Sequence, residues 1–426
     1  MPGIGSWLTK RELLSGDREA IVEKPRRLTY RELNRRVNRL AAWLLNSGLK
    51  YGDRCAYLAY NGIEVVELIF AAAKIGLILV PLNWRLAARE LSFILSDSGT
   101  ETLFLDAEFT KTVEAFKKGE GSKIKRKVVI GGQAEEAEPY EKALAQGSEE
   151  EPDPMEKVTL DTPHIIMYTA GTTGLPKGAV LTQGCSFWNA VNLELDMNFQ
   201  PMDRDLLVLP MFHIGGIGLF TLPMIHVGGT VVIQRSFDAG ETLRLLGDEK
   251  ITLFFAVPAI FLFLIQHPAF SAEAFRNVRL IMSGGAPLPT SLVRQYHEAG
   301  IVLQQGFGMS EAAPSISTLP RDLVAPISSS YPYGREEDHI RNLASTTPPS
   351  GEAWGAAPRS IWSSCGVGGA VAHHTECQNV LGLPSKAFVA ASLAQPVSWL
   401  STYKTCHPLC GMAPELCCTP MAAKAV

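Results

Sequence analysis

The chain has 426 residues, 46% of them hydrophobic, and a formal net charge of −4. It can therefore bury one large or two smaller cores, and it offers no basic excess for a nucleic-acid partner. Its first residues, MPGIGSWLTKRELLSGDRE, lack an apolar core of signal-peptide length, and no run approaches the roughly eighteen consecutive apolar residues of a membrane span, so a soluble, cytoplasmic protein is expected.

The first clear element is a helix from Thr29 to Ser47. Thr29 and Glu32 are spaced as a capping box, Leu33, Val37, Leu40, Ala41 and Leu44 recur on one face, and Gly48 ends the helix. A strand at Cys55 to Ala59, a helix near Val65 to Ile75 and an apolar run at Leu77 to Leu82 then make a βαβ unit. The acidic run Glu149-Glu150-Glu151, with prolines nearby, reads as a solvated connection. Beyond it, strand-like segments at His164 to Tyr168 and Ala179 to Leu181 flank a loop rich in Gly and Thr. Further strands at Leu206 to Leu209, Thr230 to Ile233, Leu253 to Val257, Arg279 to Met282 and Val302 to Gln305 alternate with helical stretches. This alternation predicts an α/β fold with mainly parallel sheet covered by helices. Ligands of such sheets bind beyond the carboxyl ends of strands, where Phe212-His213, Gly284 to Pro287 and Gly306 to Glu311 are expected.

Residues Met167 to Gly178 read MYTAGTTGLPKG. Gly171, Gly174 and Gly178 permit a tight turn and close approach of a ligand, Thr169, Thr172 and Thr173 supply hydroxyls, and Lys177 supplies a point charge. The combination suits a chain of phosphates. It is not a Walker A loop, in which Ser or Thr follows the lysine, because Gly178 stands there. Three other segments accompany it: Pro210-Met211-Phe212-His213, Gly284-Gly285-Ala286-Pro287 and Phe307-Gly308-Met309-Ser310-Glu311. Together the four resemble the motifs of the adenylate-forming superfamily, which includes acyl-CoA synthetases, firefly luciferase and the adenylation domains of peptide synthetases. Two positions depart from the usual pattern: Ala170 stands where Ser or Thr is more common, and Ser310 replaces Thr.

The resemblance implies a large N-terminal domain of two βα-layered subdomains, here residues 1–324. It also implies activation of a carboxylic acid by ATP to an acyl-adenylate, followed by transfer to CoA. In that scheme Lys177, His213 and Glu311 are catalytic, and Thr169, Gly171, Thr172, Thr173, Gly174 and Lys177 hold the β- and γ-phosphates. Glu311 binds Mg²⁺, joined by Thr169. Gly285, Ala286 and Pro287 line the adenine slot, completed by Gly306, Phe307, Gly308, Met309 and Ser310, with Phe307 stacking on the base. His213 closes the acid side. The substrate is expected to be a medium- or long-chain fatty acid, with Ile214 to Leu219 and Phe254 to Leu264 as walls of its pocket. An aryl or dicarboxylic acid is the alternative, and a catalytically inactive nucleotide- or acyl-binding protein, or the product of a defective gene, is another. A homodimer is compatible with the resemblance.

The resemblance ends near Val324. From Arg321 onward the chain has seven Lys/Arg and seven Asp/Glu, six of the eight cysteines, and little periodicity. None of Cys406, Cys410, Cys417 and Cys418 forms a CxxC pair, so the cysteines read as incidental rather than as a zinc site. The family's late motifs are a Thr-Gly-Asp that grips the ribose, a following Arg, a hinge and a lysine from a small C-terminal domain. No counterpart is recognisable, and the two aspartates of this region, Asp322 and Asp338, do not follow Thr-Gly. Residues 325–426 therefore read as an irregular or out-of-frame tail, the small C-terminal domain as absent, and ligase activity as impaired.

Overall fold

Two eight-stranded sheets organise the chain, as shown by a computed structural model that describes residues 1–116, 123–154, 156–169, 175–319 and 388–389. These residues lie within one unit, Met1–Ala394. The strands begin with β1 (Glu19–Glu23), β2 (Arg26–Thr29), β3 (Arg54–Leu58), β4 (Ile78–Pro81), β5 (Thr102–Asp106), β6 (Arg126–Ile130) and β7 (Glu138–Pro139). Then come β8 (Pro163–Thr169), β9 (Lys177–Thr182), β10 (Arg204–Leu207), β11 (Thr230–Ile233) and β12 (Leu253–Ala256). The last are β13 (Leu280–Ser283), β14 (Gln304–Gly308), β15 (Ser315–Thr318) and β16 (Phe388–Val389). One sheet has the order β15-β14-β13-β12-β10-β11-β1-β2, the other β16-β9-β8-β4-β3-β5-β6-β7. Most pairs are parallel; β1–β2, β8–β9 and β14–β15 are antiparallel.

The helices that cover the sheets begin with α1 (Ser6–Ser15), α2 (Tyr30–Asn46), α3 (Ile63–Ile75), α4 (Ala88–Ser98), α5 (Thr110–Glu114) and α6 (Tyr140–Ala145). They continue with α7 (Gln183–Met197), α8 (Thr221–Val227), α9 (Ala239–Asp248), α10 (Pro258–Gln266) and α11 (Thr290–Glu298). The Thr29/Glu32 capping box forms as expected. Strand periodicity divides the interior. In β3, Cys55 and Tyr57 join the main core shared with α2 and α3, whereas Ala56 and Leu58 face a second cluster with Leu91, Ile94 and Leu95 of α4. Among the described residues no helix is long and apolar enough to cross a membrane.

Every residue of α3 is buried, including Glu64, Glu67 and Lys74. A charge so placed must be paired, and α2 supplies many of the partners. Arg36 Nε donates to Glu67 Oε1 at 2.5 Å and the Tyr140 hydroxyl to Oε2 at 2.6 Å. Lys74 Nζ donates to Asn34 and Asn38, each at 2.8 Å, and to Glu151 Oε2 at 2.6 Å. The Glu149 carboxylate accepts from Arg39 at 2.7 Å, and its carbonyl accepts from Asn38 at 2.9 Å. The acidic run is thus exposed, as its charge suggested, and also an anchor: Glu149 and Glu151 pin the segment before β8 to α2 and α3. Sequence could not place Lys74 opposite Glu151, because they meet only after packing.

Strand ends also move. The expected strand Val302 to Gln305 is β14, Gln304–Gly308, so Gly306, Phe307 and Gly308 sit inside a strand rather than beyond it. Pairing with β15 extends the strand.

Replacing Lys74 with Ala leaves the buried Asn34 and Asn38 side-chain oxygens without their donor, while Glu151, 44% exposed, can turn to water; the change is expected to cost about 1–3 kcal/mol in urea unfolding. Burial pushes the Glu67 carboxyl up to about 7, against the pull of the Arg36 guanidinium and the Tyr140 hydroxyl. The folded state therefore holds this proton more tightly than the unfolded chain. Its stabilising effect is full below the unfolded carboxylate pKa and is lost as pH rises to about 7. Relative to Glu67→Gln, the wild type should lose up to about 1.4 kcal/mol per pH unit across that window and then level off, as unfolding midpoints measured from acid to neutral pH will show.

Candidate active site at the seam of the two sheets

The phosphate-type loop joins β8 to β9 in an antiparallel hairpin whose last pair is Thr169 with Lys177. Both side chains are half-buried. Four of the expected phosphate residues, Gly171, Thr172, Thr173 and Gly174, lie outside the described residues. The base of the hairpin is fixed by a contact that sequence reasoning missed: the Tyr168 hydroxyl donates to Asp97 Oδ2 of α4 at 2.7 Å. Across from it, a Cβ at Gly178 would stand 2.6 Å from Ile166 Cγ2, so only glycine fits there.

The acid-side segment leaves β10. Asn61, just after β3, donates to the carbonyls of Leu209 (2.9 Å) and Gln234 (3.1 Å) and accepts from Met211 N–H (2.8 Å). The Tyr57 hydroxyl donates to Met211 O at 2.7 Å. These bonds hold Pro210 to His213 between the sheets. His213 Nδ1 accepts from Gly215 N–H at 3.1 Å, which leaves Nε2 for a ligand. His213 is exposed at the surface, yet the protein around it desolvates the imidazole enough to lower its pKa and favour the neutral form.

Gly284 to Pro287 follow β13. Gly284 is buried, while Gly285, Ala286 and Pro287 are exposed. In β14, Gly308 passes so close to the Pro314 carbonyl that a Cβ would collide with it. Met309 N–H donates to the same carbonyl at 2.9 Å. A short 3₁₀ turn, Ser310–Ala312, then carries Glu311 and packs against β9, the strand that begins at Lys177. Asn189 of α7 secures this hairpin, accepting from Ser315 N–H at 3.1 Å and donating to Gly218 O at 2.7 Å.

These loops enclose a cavity of about 570 Å³. Of the expected site residues, His213, Gly285, Gly306, Phe307, Gly308 and Met309 line it. Thr169, Lys177, Ala286, Pro287, Ser310 and Glu311 do not. Of the expected acyl walls, Ile214, Gly215, Leu219, Phe255, Val257, Ala259, Ile260 and Phe263 line it, whereas Phe254, Phe261 and Leu264 are fully buried in the core. Two guanidiniums at the rim also escaped sequence reasoning. Arg235 is neutralised by Asp106 and Glu108, each at 3.0 Å, and Arg85 lies 4.9 Å over the Trp84 ring. Among the described residues no group of three or more His, Cys, Asp or Glu could hold a metal.

The profile of the AMP-binding enzyme family matches residues 10–342. The chain is 37% identical over 323 residues to a feruloyl-CoA synthase of Amycolatopsis sp, covering 76% of this chain and 62% of that protein. It is 34% identical to the long-chain-fatty-acid–CoA ligase FadD13 of Mycobacterium tuberculosis, covering 73% and 61%. It thus spans a little under two thirds of the length of these relatives. Among solved structures, the inhibitor-bound N-terminal domain of FACL13 from M. tuberculosis superimposes with a TM-score of 0.70 at 33% identity, over 76% of this chain and 79% of that one. With three of the four motif segments lining one cavity and a family match across residues 10–342, the chain belongs to the AMP-binding enzyme family.

Proposed function

We propose that this protein activates an apolar monocarboxylic acid with ATP, forming an acyl-adenylate that is passed to CoA. The observation that carries the reading is the seam itself: loops from both sheets close on one largely apolar cavity lined by His213, and the turn that carries Glu311 packs against β9. An acid carboxylate oxygen attacks the α-phosphorus of ATP, the P–O bond to the β-phosphate breaks, and pyrophosphate leaves. Two anions must meet, so the protein's task is to neutralise and align them.

In this reading Lys177 and the Thr169 hydroxyl hold the phosphates together with Gly171, Thr172, Thr173 and Gly174. Neutral His213, with Nδ1 engaged by Gly215, offers Nε2–H to the reacting carboxylate. Gly285 and Gly306 to Met309 form the nucleotide wall, with Phe307 stacking on the base; Ala286, Pro287 and Ser310 extend that wall outside the cavity. A single half-buried carboxylate, Glu311, with the Thr169 hydroxyl suits Mg²⁺, a hard cation that keeps most of its waters and shares substrate phosphates. Bound there, the ion would offset charge on the phosphates.

The relatives named above act on an aromatic and on a long-chain fatty acid, so both classes are candidates. The rings of Phe212, Phe255 and Trp84 in the cavity wall favour the aryl reading. The composition from Arg321 onward, with no Thr-Gly-Asp, supports a tail translated out of frame. Reading the other two frames of the gene across that region tests this directly.

ATP–pyrophosphate exchange across a panel of aryl, fatty and dicarboxylic acids is expected to respond to apolar monoacids. Saturable ATP binding without exchange for any acid would make the protein an inactive binder. Glu311→Gln should lower exchange about 10²- to 10³-fold. Asp97→Ala, which frees Tyr168 at the base of the hairpin, should weaken ATP binding about fivefold, the worth of one hydrogen bond, as calorimetry will read.

A further inference from the structure

Helix α10 carries more apolar surface than its own packing consumes. Ile260, Phe261 and Leu264 are buried, yet Phe263 is 55% exposed and lines the cavity all the same. Ala259, Ile260 and Phe263 fall at helical spacing and form one cavity-lining face, which begins at Val257 beside the glycine loop and ends at Phe263 where the cavity meets solvent. A Cβ on Gly285 would lie 3.5 Å from Val257 Cγ1. Opposite Phe263 stands Phe237, on the segment after β11, its ring stacked with centroids 6.2 Å apart and planes at 30°. Phe237 is half-buried and packed on the main core, so it gives the pair a fixed side. An exposed phenyl ring costs hydration free energy unless something covers it. Here the cover on one face is a second ring, and the other faces the cavity.

Resting on the adenylation reading, we infer that the Phe237–Phe263 pair is the length stop of the acid-binding arm: Phe263 closes the end of the α10 face, and the protein selects compact apolar acids, aryl or short alkyl, over long chains. Charge agrees with an apolar body. The two ionised groups that line the cavity come from other segments than α10: Arg235 is paired with Asp106 and Glu108, and Arg85 lies over the Trp84 ring. A long chain would have to displace Phe263 from Phe237 and lie against solvent.

The test uses the full chain and three non-reactive acyl-adenylate mimics, the benzoyl, octanoyl and hexadecanoyl sulfamoyl adenosines, with affinities read by calorimetry for wild type, Phe263→Ala and Phe263→Trp. Wild type should prefer benzoyl. Phe263→Ala should shift the hexadecanoyl-to-benzoyl ratio at least about tenfold toward the long chain, since its methylenes then pack on the Phe237 ring that Phe263 had covered, and Phe263→Trp should disfavour octanoyl. The same ranking in all three proteins, or a wild-type preference for hexadecanoyl, would overturn the length stop while leaving adenylation intact. Failure of the wild type to bind any of the mimics would instead overturn the adenylation reading, and the length stop with it.

Discussion

The side chain of Asn61 is the interaction on which the site depends. It stands at the carboxyl end of β3 in one sheet and engages the backbone at the carboxyl ends of β10 and β11 in the other, through Leu209, Met211 and Gln234. Each bond joins a buried amide to a buried backbone group, so losing one leaves two unsatisfied partners. With the seam closed, the loops leaving both sheets share one space. Without it, each sheet would carry half a site.

Behind the seam, α3 solves a conflict. It lies wholly buried, which its apolar positions favour, yet it carries two glutamates and a lysine. The cost of desolvating them is met by Arg26, Arg36, Asn34, Asn38 and Glu151, all brought in by neighbouring segments. This makes the core polar in places as well as apolar: the pairs between α2, α3 and the segment ahead of β8 are satisfied together in the observed register. The hairpin that bears Lys177 inherits that register, since the pinned segment leads directly into β8.

The chemistry assigned to the cavity follows from the same economy of polar groups. Its walls are mostly side chains without charge, and the polar groups that reach it are held by backbone bonds, as His213 is by Gly215. A low-dielectric space with a few fixed donors strengthens each electrostatic contact with a reacting carboxylate and phosphate. The aromatic rim formed by Phe237 and Phe263 shapes the same space at its far edge.

Much of this was legible in the sequence. Capping at Thr29 and Glu32, the βα alternation and the four motif segments are local patterns, each written in consecutive or near-consecutive residues, and they determined the fold class, the helix and strand order and the family. Tertiary structure decided the rest. It extended β14 through Gly308, because β15 supplied hydrogen-bond partners that Gly306-Phe307-Gly308 show no sign of in isolation. It gave the exposed run Glu149 to Glu151 anchoring partners in α2 and α3, divided the apolar stretch Phe254 to Leu264 between core and cavity, and recruited Asn61, Asp97, Asn189 and Phe237. These residues carry no motif of their own. Their roles come from partners distant in the chain, and which partners meet is fixed only when two sheets bury their faces against shared helices, a constraint that no local pattern encodes.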